Sequence, residues 1–339
     1  MRILIRADGS HKRGLGHIAK QILLYNKLKS LKHDVLFLTR QNKIVTSILA
    51  KHKVRFDEFS GPPLYYPYGH LKSYKPDVVI LDILQTSSPY IERLKHHRVN
   101  KIVTFDNTDI SAFSCDLIFN VMYYHDKEIK KGMDTSILYE GYSYILMSEA
   151  YKNVGHLCRP QAKKILLTQG GADTTAKTTI LMKLLADIYR SKRHDFEVDV
   201  VLGPAFLKNN IKSIQDLGAK DKIFNLHRCP EGLADLMSVC DTVITAGGTT
   251  SWEAAACKRP MYIMANEAFE DETAGLHRKL GLALYDGWSP GETTIKESLL
   301  NLIFNSDLRH GMTSAMARYD MVNGLTRVID KLYDHRVLQ

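Results

Sequence analysis

The residues best suited to chemistry begin with residues 6–20, RADGSHKRGLGHIAK. Residues 2–5 (RILI) read as a strand, and Ile18, Ile22, Leu23 and Leu24 carry an apolar helical pattern. A glycine-rich turn lies between them. Such a turn aims free backbone N–H groups and the positive end of a helix at one spot, which suits a phosphate or a developing negative charge. Gly14 and Gly16 are therefore candidate substrate contacts. His17 is the one side chain on the first helical turn able to accept a proton near neutral pH, so it is a candidate general base. The same letters also describe a plain tight turn with a histidine ring in solvent. They do not describe a dinucleotide fingerprint. The strand at residues 34–39 runs into Arg40, where a ribose-binding carboxylate would be required.

Two later turns carry similar potential. In TAGGTTSWEAAACKRP, residues 245–260, an apolar strand runs into Gly247, Gly248, Thr249 and Thr250 and then into a helix. The glycines let backbone approach a ligand, and the hydroxyls with the helix N-terminus can hold a diphosphate. Glu253, on the first turn of that helix, can accept hydrogen bonds from ribose hydroxyls; a carboxylate there also complements the helix dipole. In QGGADTTAKTT, residues 169–179, Gly171 to Thr178 spells G-x-x-x-x-A-K-T, one substitution short of a phosphate-binding P-loop. Ala176 replaces the glycine just before the lysine, where that loop needs its backbone freedom. An NTP-hydrolysing loop is thus the poorer reading, and Gly170 and Gly171 are expected to line a ligand cleft. His96-His97 and His156-Leu157-Cys158 lack the spacing of a zinc site, so no metal site is expected.

These turns need a scaffold, and the pattern supplies one. Residues 77–81 (DVVIL) and 101–105 (KIVTF) are near-continuous apolar runs, as in parallel strands buried on both faces. Each leads into an aspartate, Asp82 and Asp106. With His17 these would share the carboxyl rim where open α/β sheets bind ligands; a helix cap or turn residue is the plainer use of either one. Residues 61–69 (GPPLYYPYG) are expected to be a loop. Residues 140–161 are irregular and polar, and strand–helix alternation restarts at 164–168 (KILLT). The expected architecture is two Rossmann-like α/β domains, residues 1–155 and 160–339, with closing C-terminal helices and a cleft between the domains.

Composition narrows the partners. The 339 residues are 45% hydrophobic and 24% charged, ordinary for a globular protein, with a net charge of +9. That balance favours acidic partners such as nucleotides, or an anionic membrane face. No long Lys/Arg run marks a nucleic-acid surface. Five widely spaced cysteines without a C-x-x-C pair fit reduced thiols and a cytoplasmic setting.

Residues 6–20 resemble the R-x-D-x-x-x-x-x-G-x-G-H-x-x-R signature of the pseudaminic-acid-pathway UDP-sugar hydrolases and the related spore-coat-polysaccharide proteins. KILLTQGGADTTAKT, VVLGPAF and TVITAGGTTSWEAAACKRP resemble that family's second-domain motifs in the same order, and the likeness spans about residues 1–285. The family is similar to the peptidoglycan N-acetylglucosaminyltransferase and shares its GT-B fold. The resemblance implies metal-independent, cofactor-free cleavage of a sugar–UDP bond, with water attacking the anomeric carbon. It implies that His17 is the base, that the turn from Gly247 to Thr250 binds the diphosphate, and that Glu253 binds the ribose. Lys20, Asp82 and Asn266 would join the substrate site, alongside Gly170 and Gly171. Three positions depart from the pattern. Lys20 replaces an arginine, keeping charge but losing its planar fork. Leu84 stands where the hydrolases tend to have tyrosine, and Asn266-Glu267 where they have Asn-Gln. These departures fall where the sugar is expected. The implied product is a free deoxyamino sugar for a surface glycan such as a nonulosonic acid. The alternative is a GT-B glycosyltransferase using the same donor in surface polysaccharide or glycoprotein assembly, for which peripheral membrane contact would suit the basic charge.

Overall fold

The computed structural model describes residues 1–9, 15–62, 67–83, 85–107, 109–121, 130–152, 154–155, 159–192 and 195–339. The chain forms two compact units. Met1–Ser148 and Met321–Gln339 make one, and Glu149–Asp320 makes the other.

The first unit is built on seven strands: β1 (Arg2–Ala7), β2 (Asp34–Arg40), β3 (Phe56–Phe59), β4 (Val78–Asp82), β5 (Lys101–Phe105), β6 (Leu117–Asn120) and β7 (Leu138–Glu140). Their order is β3-β2-β1-β4-β5-β6-β7, and every neighbouring pair is parallel. The apolar runs explain this arrangement. Ile3, Ile5, Val35, Phe37, Val78 and Ile80 are all 0% exposed, as central strands covered on both faces must be. The strand order reverses between β1 and β4, where Ala7 pairs with Asp82. At such a switch point the connections leave in opposite directions and open a crevice beyond the carboxyl ends.

The second unit repeats the plan with β8 (Lys164–Thr168), β9 (Glu197–Leu202), β10 (Phe224–Arg228), β11 (Thr242–Thr245), β12 (Met261–Ile263) and β13 (Ala283–Leu284). Their order is β10-β9-β8-β11-β12-β13, again parallel throughout. The switch point lies between β8 and β11, where Thr168 pairs with Thr245. In this unit the glycine-rich turns after β8 and β11 both begin at the switch point.

Some elements differ from the sequence reading. Helix Tyr68–Tyr74 begins inside the 61–69 segment read as a loop and continues over residues given no element. Helices Lys208–Lys220 and Ala268–Lys279 stand where no element was anticipated. The closing C-terminal helices include Ser306–Met316 and Gly324–Asp334. The second of these belongs to the first unit. There, Arg327 donates to the Ser143 carbonyl at 3.0 Å, and the Tyr139 hydroxyl meets His335 Nε2 at 2.7 Å. Among the described residues, no helix is long and apolar enough to cross a membrane, and Cys115, Cys229, Cys240 and Cys257 are free thiols.

Candidate active site

In the first unit, helix Gly16–Ser30 starts at the switch point, and its N-cap, Leu15, makes no side-chain capping bond. His17, Lys20 and Gln21 are spaced i, i+3, i+4, so they share one face near its start. That face meets the ends of β4 and β5. The His17 Nδ1–H donates to Asp82 Oδ1 at 2.5 Å, and Gln21 Nε2 donates to Asp82 Oδ2 at 2.9 Å. The His17 side chain is 14% exposed, while that of Asp82 is fully buried. With Nδ1 carrying the proton toward Asp82, Nε2 keeps a lone pair, the tautomer a base requires. Among the described residues, Nε2 has no hydrogen-bond partner.

Lys20 lies beneath this pair. Its ammonium is 2.5 Å from Asp106 Oδ2 and 3.8 Å from Asp82 Oδ2. Asp106 has a left-handed backbone (φ +48°), and its other oxygen accepts the Val121 N–H at 2.7 Å. Burial opposes the charge on Asp82, but the His17 ring and the Lys20 ammonium outweigh it and hold the carboxyl below the usual aspartate range. Burial likewise opposes the Lys20 charge, yet Asp106 and Asp82 hold its pKa above the ordinary lysine value. His17, Asp82 and Asp106 offer ligand atoms within 4.8 Å of one another, a spacing a cation could use. The Lys20 ammonium is itself the cation among them. Gly14 and Leu84 lie outside the described residues.

In the second unit, the two glycine-rich turns differ in one decisive respect. The first turn of helix Lys177–Lys192 is capped from within: Asp173 Oδ1 accepts the Lys177 N–H at 2.8 Å, and Oδ2 accepts the Thr178 N–H at 2.9 Å. A P-loop would offer these donors to phosphate, and Lys177 is spent on the Ala265 carbonyl. Gly170 has a left-handed backbone (φ +70°), and the close packing here depends on Gly203, where a Cβ would collide with the carbonyl oxygens of Gly170 and Gly171. Helix Thr249–Ala256, by contrast, has Gly248 as N-cap and no side-chain cap. Its first N–H groups, with the Thr249 and Thr250 hydroxyls, remain suited to an anion. Gly247 is pressed against the next helix: a Cβ there would lie 2.6 Å from the Glu270 carbonyl oxygen. Burial raises the pKa of Glu270 above the usual range, although the N–H groups of Asn266, Glu267 and Gly247 bond its carboxylate.

Glu253 is partly buried and hydrogen-bonded by Tyr151. Burial pushes its carboxyl up to about 7, with the tyrosine bond pulling the other way. Asn266 ties three segments together. Its Nδ2 donates to Gln169 Oε1 at 2.9 Å, the Thr175 hydroxyl donates to its Oδ1 at 2.9 Å, and its N–H donates to Glu270 Oε2 at 2.6 Å.

The structure thus brings His17, Lys20, Asp82 and Asp106 together in one unit. It gathers Gly170, Gly171, Gly247, Gly248 and Asn266 around the switch point of the other. Gln21, Asp173 and Glu270 escaped the sequence reading. A signal existed for two of them: Gln21 is a buried polar residue in helical register with His17, and Glu267-x-x-Glu270 has the spacing of a capping box, which forms here.

No family model matches the chain. An uncharacterised protein of Methanocaldococcus jannaschii is 26% identical over 80% of this chain, which spans 57% of that protein's length. The spore coat polysaccharide biosynthesis protein SpsG of Bacillus subtilis is 24% identical over 88% of this chain and 87% of its own. The UDP-2,4-diacetamido-2,4,6-trideoxy-beta-L-altropyranose hydrolase of Campylobacter jejuni is 21% identical over 83% and 97%. Among solved structures, S. aureus MnaA with UDP has a TM-score of 0.67 at 13% identity, covering 98% of this chain and 96% of its own. Acinetobacter baumannii MurG also scores 0.67 at 13% identity, over 98% and 99%. The chain is therefore related in sequence to a spore-coat-polysaccharide protein and a UDP-sugar hydrolase, and its fold is GT-B, two Rossmann-like domains each built on a parallel sheet.

Proposed function

We propose that this protein is a nucleotide-sugar hydrolase that releases UDP and a free amino sugar by attack of water on the anomeric carbon. The observation that carries the reading is the His17–Asp82 pair at the first switch point. In the proposed step, His17 Nε2 takes a proton from water as its oxygen bonds the anomeric carbon. The bond from that carbon to the phosphate oxygen breaks, and UDP departs with the electron pair. UDP is a good leaving group, so stabilisation of its charge is needed more than a strong acid. The uncapped helix start at Gly248, Thr249 and Thr250 is suited to holding the diphosphate, and Glu253 to accepting the ribose hydroxyls. Gly14 and Gly16 would support the reacting end, with Gly170, Gly171 and Asn266 shaping the sugar side. The Lys20 ammonium stands as a cation between the two carboxylates, and the proposed step calls on no metal.

The test is UDP release from a panel of UDP-amino-sugars, without acceptor and with chelator, for wild type and His17→Ala. Release that survives chelation and falls about 10²–10⁴-fold in the variant is expected, the usual contribution of a positioned base. Release only after adding a sugar, lipid or protein acceptor would identify a glycosyltransferase instead. Equal release by both proteins would reduce His17 to a turn residue.

A further inference from the structure

We propose that Lys20 is a positioning residue for the reaction: it touches no substrate, but divides its charge between Asp82 and Asp106 and so sets how firmly Asp82 draws a proton onto His17. This rests on the reading of His17 as the base.

The geometry carries the argument. The Lys20 side chain is 6% exposed, enclosed by the two carboxylates at 2.5 Å and 3.8 Å, so its charge is committed within the unit. Among the described residues, the charged groups clustered with the His17 ring are Asp82 from β4, Asp106 from β5 and Lys20 from its own helix. With imidazole neutral, two carboxylates face one ammonium, and the cluster carries a net charge of −1. Removing the ammonium would leave −2 beside the ring. The ring would then hold its proton to higher pH. Removing the charge of Asp106 would do the opposite. Lys20 would turn wholly to Asp82, and His17 would lose its proton at lower pH but become a weaker base. An opposite charge 4–6 Å away shifts a titration by roughly 1–3 units, so each effect is large enough to read.

Three variants and two readouts test the idea. Lys20→Met is expected to move the acidic limb of the kcat/KM profile upward by about one pH unit. Asp106→Asn should move it downward and lower the plateau, and Lys20→Arg, which restores the charge, should return the limb toward wild type. The His17 ring resonance, followed by NMR with pH and assigned through His17→Gln, should move in the same directions without any turnover. A Lys20→Met variant with a raised KM and an unmoved limb would overturn the proposal, because it would make Lys20 a substrate contact. A Lys20→Arg variant as impaired as Lys20→Met, or limbs moving the same way in Lys20→Met and Asp106→Asn, would also overturn it. If Lys20→Met does not fold, the downward shift in Asp106→Asn still decides. Failure of the His17 reading is distinct: His17→Ala would then turn over like wild type, whatever Lys20 does.

Discussion

Single side chains in this protein are placed by opposing costs, and Glu253 makes the balance measurable. Burial favours its neutral acid, while ribose hydroxyls are held better by a carboxylate, since charge-assisted bonds are the stronger ones. With its pKa pushed up to about 7, the residue changes form across the neutral range. UDP affinity is therefore expected to weaken as pH falls from about 8 to 6, by up to about tenfold per unit once the acid form dominates. Glu253→Gln should bind UDP more weakly at pH 8 and lack this part of the pH dependence. The diphosphate's own titration remains in both proteins, so the difference between their calorimetric curves isolates Glu253. Identical pH slopes would sink the assignment. The effect on stability runs the other way. The folded value lies above the unfolded 4.5, so the folded state binds the extra proton between 4.5 and about 7. The stabilising contribution is complete below 4.5 and lost as pH rises through about 7. The second unit thus gives up some stability over the range in which Glu253 becomes the better acceptor.

The glycine-rich turns work because neighbouring elements come closer than a side chain permits, and Gly247 is the clearest case. An added Cβ would stand 2.6 Å from the Glu270 carbonyl oxygen and 2.8 Å from the Glu270 Cβ, so the helix behind the turn would have to retreat. Gly247→Ala is expected to cost about 1–3 kcal/mol, as forced overpacking does, and to reduce UDP binding with it. Gly232→Ala, with nothing within 4 Å of the new methyl group, serves as the neutral control in the same unit. Chemical denaturation and calorimetric UDP titration of both variants test this; unchanged binding in Gly247→Ala would exclude the turn as the diphosphate cradle. At this scale the sequence was legible where burial is continuous. The central strands announced themselves because both faces are covered, and Asp82 and Asp106 were visible because they follow apolar runs into the rim. Helix Lys208–Lys220 was hidden because it buries only Ile214 and its apolar stripe is thin. The pairing of Lys20 with Asp106 spans 86 residues, and no local pattern encodes a contact that only the assembled sheet creates. The Asp173 cap was masked differently. A near-P-loop spelling drew attention to Lys177 and away from the aspartate that consumes the helix's first donors.

For the whole molecule, the chain crosses from one unit to the other and returns, so the stability of the first unit depends on the last residues of the chain. Helix Gly324–Asp334 docks on the short helical turn Tyr142–Tyr144, and at Gly324 an added Cβ would run into the backbone of Ile145. Backbone cannot swing aside as a side chain does. Gly324→Ala should therefore lift the helix and lose about 1–3 kcal/mol, although alanine is the better helix former. Gly311, in helix Ser306–Met316 of the second unit, supplies the contrast. It is exposed and has nothing within 4 Å of an added Cβ, so Gly311→Ala should stabilise by about 0.5–1 kcal/mol through helix propensity alone. Hydrogen exchange read by mass spectrometry distinguishes where each effect falls. In Gly324→Ala, β1, β4 and β5 should exchange faster while β8 and β11 keep their protection; in Gly311→Ala, protection should rise only in the second unit. Equal loss of protection across both sheets in Gly324→Ala would show that the units unfold as one, and that the returning helix stabilises the molecule as a whole rather than the sheet that carries His17.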